Sequence, residues 1–170
     1  MKLFVIIFLL AVAGCTTPAK RINTVVSFPV NPVFKLKESS GWKDREIESI
    51  YVFSGEIPWN GDRRYNFLIL WPSGEAFLSS FQTNPPTLGD IENMNAGLAG
   101  YFQVVEDEVV LEMYLGYPRG KYENFYGTFI DGNTITLKGP WTRGSLQMGG
   151  YPARSYSIMD FDDIEIEPLW

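Results

Sequence analysis

The sequence contains no histidine among its 170 residues and only one cysteine, Cys15. Without histidine the chain lacks the commonest general base, the commonest transition-metal ligand and the usual pH switch near neutrality. Ser-His and Cys-His nucleophile pairs are excluded, and zinc would find only carboxylate ligands. We therefore expect a protein with no catalytic residues, no metal site and no cofactor.

Basic residues are few and scattered. Lysine and arginine number 14 against 20 aspartates and glutamates, a formal net charge of −6 at pH 7. An acidic chain with no basic run is repelled by phosphate backbones, so nucleic acid is excluded as a partner. The same charge disfavours docking on anionic lipid headgroups. Beyond Val12 there is no long apolar run, so no later segment is predicted to span a membrane.

The one long apolar run lies at the N-terminus. Lys2 supplies a positive charge and Leu3–Val12 is continuously apolar, a pattern typical of a secretory signal peptide and too short to span a bilayer. The tetrad Val12-Ala13-Gly14-Cys15 resembles the lipobox of bacterial lipoproteins. The alternative is an ordinary signal peptide that happens to contain a cysteine.

The lipobox resemblance implies a location. In that family the cysteine takes a diacylglycerol and the leader is cut before it, which would make residues 1–14 the signal peptide and Cys15 the lipidated residue. Residues 15–22 are then a tether, and 23–170 form a single domain, long enough for one hydrophobic core. Thr16 is not the aspartate that retains such proteins at the inner membrane in enteric-type bacteria. We expect a cell-envelope protein whose membrane partner is reached through its lipid, at the outer membrane and facing the periplasm.

From Trp42 onward the sequence is typical of β-structure. Aromatic residues make up 15% of the chain, and apolar and polar residues alternate in several short runs. Turn residues between such runs predict three hairpins: Tyr65–Trp71 with Glu75–Phe81, Gly100–Val105 with Glu108–Leu115, and Tyr122–Ile130 with Thr134–Lys138. A last pair is predicted between residues 154–161 and 163–167.

Two stretches interrupt these strands. Apolar residues recur at helical spacing at Leu88, Ile91, Met94 and Leu98. They predict a weak helix of two turns within Leu88–Ala99, lying across one end of the sheet and weakened by its glycines. Gly139–Arg154 contains four glycines and is predicted to be a long flexible loop.

Strands about ten residues apart, joined by tight turns and without βαβ alternation, predict an antiparallel all-β domain. Consecutive hairpins favour pairing between neighbours in sequence, and full closure removes exposed strand edges. We therefore predict an up-and-down meander that closes into a small barrel. The alternative is a β-sandwich.

Three hairpin signatures resemble those of bacterial lipocalin-like (calycin) domains. They are Phe67-x-x-x-Trp71-Pro-Ser-Gly-Glu-x-Phe77, Gly100-Tyr101-Phe102-x-Val104 with Glu108-Val109-x-Leu111, and Gly127-x-Phe129 with Asp131-Gly132-Asn133-Thr134-Ile135. The resemblance extends from Ile47 to Lys138. The family's opening Gly-x-Trp is not matched, because Gly41 and Trp42 are adjacent. The resemblance implies a lipocalin-like barrel with a hydrophobic ligand inside.

Aromatic side chains supply the candidate binding residues. Rings on neighbouring strands would line a barrel interior that holds an apolar or flat ligand, as the resemblance implies. A large side chain on a glycine-rich loop is suited to recognition. The candidate ligand-binding residues are Phe67, Trp71, Phe77, Phe102, Phe129 and Trp141. The alternative is a barrel filled by its own side chains, with Trp141 as a plug over one end.

Carboxylates form no specified site. The acidic C-terminal stretch alternates with Ile164 and Ile166 and lacks the Asp-x-Asp-x-Asn-Gly turn that wraps calcium, so we interpret it as a solvated strand face. Four loop carboxylates are eligible for acid–base chemistry, but nothing pairs them: Glu56, Asp62, Asp90 and Glu92.

Together these observations predict a non-enzymatic binding module for a hydrophobic small molecule or lipid. The alternative is a structural or interaction lipoprotein that binds an envelope protein or a glycan through its loops. A buried polar residue in an otherwise apolar cavity would favour the first function. A contiguous exposed aromatic patch on the closing loop would favour the second.

Overall fold

The computed structural model of the chain describes residues 19–21, 27–29, 31–43, 49–59, 61–116, 120–139, 153–159, 166–168 and 170. Within these residues the protein consists almost wholly of β-strands, with a 3₁₀ turn at Lys37–Ser39 and a short helix, α1, at Leu88–Asn93. The strands are β1 (Ala19–Arg21), β2 (Ser27–Pro29), β3 (Gly41–Trp42), β4 (Tyr51–Trp59), β5 (Asp62–Leu70), β6 (Glu75–Ser79), β7 (Gly97–Val105), β8 (Glu108–Leu115), β9 (Lys121–Phe129), β10 (Thr134–Lys138) and β11 (Arg154–Ile158).

Strands β4 to β11 form a closed ring. Each pairs in antiparallel orientation with the next strand along the chain. The ring closes between its last and first strands, where Ser157 and Ile158 pair with Ser54 and Phe53. The protein is thus an eight-stranded antiparallel up-and-down barrel of the small lipocalin-like type. The predicted closed barrel is confirmed, and the β-sandwich alternative is not formed.

All three predicted hairpins are present, and local turn chemistry accounts for them. Between β5 and β6, the N–H of Gly74 donates to the carbonyl of Trp71 at 3.0 Å, and Gly74 has φ +100°. Between β9 and β10, the N–H of Ile130 donates to the carbonyl of Thr134 at 2.8 Å, with Gly132 at φ +53°. Both glycines adopt left-handed torsions that other residues reach only with strain.

The predicted helix is shorter than its apolar spacing indicated. Thr87 and Asp90 form a reciprocal capping box that starts α1. The backbone N–H of Thr87, helped by its hydroxyl, holds the pKa of Asp90 below its usual value. The helix ends at Met94, which has φ 41°, and β7 begins at Gly97. The last three residues of the predicted helix are therefore a strand, because they pair with β6.

The prediction that the strand after residue 154 pairs with residues 163–167 is wrong, because β11 pairs with β10 and β4 instead. Both edges of β11 are occupied, one by β10 and the other by β4. Closure of the ring therefore takes the edge that residues 163–167 would have needed. Residues 160–165 lie outside the described residues.

Residues 27–29 and 31–42, which we call the strap, cross the outside of the barrel. The strap runs parallel to β7 at both ends, with Ser27 beside Leu98 and Trp42 beside Val104. β1 pairs in antiparallel orientation with β2, so three residues of the predicted tether belong to the sheet. The backbone N–H of Leu36 donates to the Glu112 carboxylate at 2.8 Å. The strap is thus an extended segment held against the barrel.

Buried side chains form two separate clusters. The first includes side chains from all eight ring strands, which only the interior of a closed barrel can bring together: Phe53, Leu68, Leu78, Phe102, Leu111, Phe125, Ile135 and Tyr156 are among them. The second lies on the outer wall of β4 to β8, and we call it the outer cluster. It contains Phe67, Ile69 and Phe77 together with Phe28 and Phe34 of the strap. Alternation along β5 places neighbouring residues in different clusters.

Candidate functional site

The two ends of the barrel are built differently. At the end where β5, β7, β9 and β11 finish, the Trp42 ring covers the interior, with ring-centroid distances of 5.4 Å to Phe129, 5.6 Å to Phe102 and 5.3 Å to Tyr51. We call this the lower end. Aromatic packing of this kind fills the barrel with its own side chains. The packed-core alternative is therefore realised in the lower half.

The upper end, where β6, β8 and β10 finish and β11 begins, contains a pocket of about 360 Å³. We call it the mouth pocket. Its lining is mainly apolar, with polar groups at two places. The principal lining residues are Leu78, Leu98, Leu115, Phe125, Asn66 and Arg154. Its volume lies within the range of small-molecule sites, which begin at roughly 300 Å³.

Asn66 lines the mouth pocket as its polar floor, and Tyr156 lies behind it, bonded to Asn66. Their side chains are 1% exposed in each case, and Nδ2 of Asn66 donates to the Tyr156 hydroxyl at 3.0 Å. Oδ1 of Asn66 is buried without a hydrogen-bond partner. Burial raises the pKa of Tyr156 above its usual value, while Asn66 and Arg154 act in the opposite direction. The phenol is therefore neutral at physiological pH, and this buried pair is the polar feature expected of a ligand cavity.

Arg154 supplies the charge at the rim. It is half-buried, and its guanidinium lies over the Phe81 ring, 4.8 Å from the centroid. A cation over an aromatic face is held by attraction to the ring quadrupole. The positive charge of Arg154 acts to lower the pKa of the Tyr156 phenol, so the rim and the floor lie close enough to interact.

The five predicted ligand-binding residues that the structure describes do not form a single site. Phe102 and Phe129 do lie inside the barrel, but in its packed lower half. Phe67, Trp71 and Phe77 belong to the outer cluster, so the expectation that they line the interior is wrong. Strands β5 and β6 are apolar on both faces. Their outer face is covered by the strap and by the C-terminal residues. Of these five, none lines the mouth pocket, and Trp141 lies outside the described residues.

The outer cluster joins the strap and the C-terminal residues Ile166 and Trp170 to the barrel wall. Nε1 of Trp71 donates to the carbonyl of Ile166 at 2.6 Å. Trp170 stacks on Phe28 at 5.8 Å and packs edge-on against Trp71 at 5.7 Å. These contacts explain why Trp71 and its neighbours are aromatic: they bury the two ends of the domain rather than a ligand.

The aliphatic and polar residues of the mouth pocket were missed by sequence reasoning. Asn66 carried a detectable signal, because it is the polar exception on the inward face of a strand that continues as Leu68 and Leu70. Leu98 was assigned to a helix. Arg154 stood where a predicted loop meets a predicted strand, and its position beside the pocket was not recognised.

Two of the four candidate carboxylates, Glu56 and Asp90, are engaged by neighbouring residues. Glu56 pairs with Arg63 at 3.3 Å, and Asp90 is engaged in the capping box of α1. Among the residues that the structure describes, no three acidic or cysteine side chains are grouped so that they could hold a metal ion. Cys15 lies outside the described residues.

Within the described part of the chain, no helix has the length and apolarity needed to cross a membrane. Comparison with protein-family models, with curated proteins and with solved structures finds no match to this chain.

Proposed function

We propose that this chain is a non-enzymatic binding protein that holds a small hydrophobic molecule in the upper end of its barrel. The observation that carries the proposal is the contrast between the two ends. The lower half is filled by packed aromatic rings, whereas the upper half retains a pocket of about 360 Å³ with a mainly apolar lining. Protein interiors are normally close-packed, so a pocket of this size marks a place where something else can be accommodated.

The buried polar pair supports a ligand rather than a packing fault. An unpaired acceptor such as Oδ1 of Asn66 costs roughly 1–3 kcal/mol, whereas leucine at this position would fill the interior at no such cost. Polar groups at the edge of an otherwise apolar pocket orient a ligand and provide specificity.

The proposed setting is the cell envelope, with Cys15 carrying the lipid. Only three residues separate Cys15 from β1, which is already part of the sheet. Four residue steps span at most about 14 Å. The barrel would therefore be held against the membrane that receives the lipid, proposed to be the outer membrane on its periplasmic side.

Native mass spectrometry of the chain, isolated from the envelope of the cell that makes it, tests the binding function. We expect a co-purifying small molecule in stoichiometric amount, and a mass increment on Cys15 equal to its acyl groups. Leu115→Trp should abolish the small molecule because it fills the mouth pocket. Val110→Trp, on the outer face of the same strand, is the matched control and should retain it.

A wild-type protein that carries no small molecule in this experiment would overturn the proposal. Crosslinking in the envelope would then test the alternative, in which loops bind an envelope protein or a glycan. Retention of the small molecule by Leu115→Trp, with its fold intact by circular dichroism, would place binding elsewhere on the barrel and equally contradict the proposed site.

A further inference from the structure

We infer that the mouth pocket binds an anionic amphiphile of medium chain length, with its charged head at Arg154 and its tail against the apolar lining of Leu78, Leu98, Leu115 and Phe125. This inference rests on the proposed function and specifies its ligand. It has two independent parts: one concerns the sign of the head group and the other the length of the tail.

The head group follows from the chemistry at the rim. Arg154 places a permanent positive charge beside a mainly apolar pocket. The Phe81 ring beneath the guanidinium restrains its orientation. A guanidinium carries five N–H donors in a planar fork, a geometry that matches the oxygens of a carboxylate or phosphate. Charge-assisted hydrogen bonds of this kind are among the strongest that a pocket can offer.

The surroundings of Arg154 indicate that the anionic head group of the ligand carries an apolar tail. Leu78, Leu98, Leu115 and Phe125 extend from the rim into the barrel and offer no hydrogen bond from their side chains. A small inorganic anion would leave this surface in contact with water. An amphiphile satisfies both parts, because its tail removes the leucine surface from water while its head remains at the rim.

The tail length follows from the volume of the pocket and from what lies beneath it. Asn66 forms the floor, backed by Tyr156, and below them Phe53, Phe102 and Phe129 are fully or almost fully buried. A volume of about 360 Å³ holds about a dozen groups the size of a water molecule, at roughly 30 Å³ each. The pocket thus accommodates a chain of roughly eight to twelve carbons. A longer chain could enter only by displacing the packed aromatic rings or by leaving its end in solvent.

Isothermal titration of the full chain, kept in solution by an amphipathic polymer whose own heats are subtracted, tests the head group. The probes are decanoate, decan-1-ol and decyltrimethylammonium, each below its micelle concentration. We expect decanoate to bind about tenfold or more tightly than the alcohol, and the cation to bind most weakly. Arg154→Met should remove the advantage of decanoate over the alcohol, whereas Arg154→Lys should retain part of it. Arg63→Met is the matched control, because Arg63 lies at the same end but points outward to Glu56.

The tail is tested with a series of carboxylates from hexanoate to hexadecanoate. Affinity should rise with each added pair of carbons up to decanoate or dodecanoate and then stop rising. Continued gain as far as hexadecanoate would overturn the length limit set by the floor.

The possible failures are distinguishable. Equal affinity for decanoate and decan-1-ol would overturn the anionic head group while leaving a hydrophobic ligand in the pocket. Binding of none of the probes, with thermal unfolding unchanged by each, would count against the proposed function itself. Thermal unfolding of Arg154→Met without ligand shows whether a loss of binding reflects a damaged fold, and Arg154→Lys supplies the charge test if it does.

Discussion

The ring of Tyr156 lies directly against the backbone of Gly55. A β-carbon on Gly55 would stand 2.8 Å from Cδ1 and 2.9 Å from Cε1 of that ring, closer than real β-carbons approach other atoms. The missing side chain on β4 therefore makes the space in which the tyrosine lies, and the tyrosine in turn brings its hydroxyl to Asn66. The floor of the mouth pocket thus depends on a residue that does not touch the pocket.

Gly55→Ala should destabilise the protein by about 1–3 kcal/mol, because the added methyl group overpacks the barrel interior at Tyr156. Urea unfolding measures the change. Gly89→Ala is the control, since Gly89 is exposed on α1 and its nearest contact from a new β-carbon is 3.9 Å; it should leave stability unchanged or raise it by up to about 1 kcal/mol. Equal effects of the two substitutions would refute the steric argument.

Phe129→Ala and Phe67→Ala should each cost about 3–5 kcal/mol in unfolding free energy without changing ligand retention. Both side chains are buried, but one packs under Trp42 and the other on the outer wall. Phe125→Ala should also destabilise the barrel and, because it enlarges the mouth pocket, change retention of the bound molecule. Native mass spectrometry beside thermal unfolding distinguishes these effects. Loss of ligand in Phe129→Ala alone would mean that the lower half is not filled.

Glu112→Ala should loosen the strap. The Glu112 carboxylate, 4% exposed, accepts the backbone N–H of Leu36, and a buried N–H left without an acceptor costs roughly 1–3 kcal/mol. Hydrogen exchange should accelerate at residues 33–39 and remain slow in β9 and β10. Glu108→Ala, an exposed residue of the same strand, serves as the control. Uniform acceleration over the whole barrel would show that the strap does not open separately.

Alkaline pH should destabilise the fold through Tyr156. Burial raises the pKa of its phenol above 10.0, so the folded state favours the neutral form. The contribution is complete below about pH 10 and is lost as pH rises toward the folded-state pKa, at about 1.4 kcal/mol per pH unit for one group. Urea unfolding at several values above about pH 8 should give a shallower decline in Tyr156→Phe than in the wild type. Identical slopes would show that other groups, such as the buried Tyr101 and Tyr114, account for the decline.

The hairpins could be predicted because their information is local. Pro72-Ser73-Gly74 and Asp131-Gly132-Asn133 specify turns by their own torsions, and alternation in β8 and β10 specifies the strands. The hairpin between β4 and β5 was missed although Asn60-Gly61 is a favourable turn pair. The sequence predicted that the barrel closes but not which two strands close it. The pairing of β4 with β11 joins residues about a hundred positions apart, and no local pattern encodes it.

The inward face of β5 could not be assigned from the sequence. Phe67, Leu68, Ile69, Leu70 and Trp71 form an uninterrupted apolar run, and alternation identifies a face only when the opposite one is polar. The outer face is apolar because residues distant in sequence, such as Phe34 and Trp170, cover it. Because this covered outer face is rich in large aromatic rings, those rings were wrongly predicted to line the binding site. The mouth pocket is lined by Phe81 and Phe125 together with leucines, an asparagine and an arginine.

The strap also determines how the molecule would respond to a mechanical load. The eight ring strands close on one another without using β1 or β2, whose ladders lie outside that circle. A pull applied at the N-terminus would act first on the short β1–β2 ladder and on the single pairing between β2 and β7. The contacts between the strap and the outer cluster would break one after another, while the eight ring strands keep their own hydrogen bonds. The barrel is thus a closed ring with a strap that can detach from its side, so that tension applied to the N-terminal part of the chain would be released before it reaches the mouth pocket.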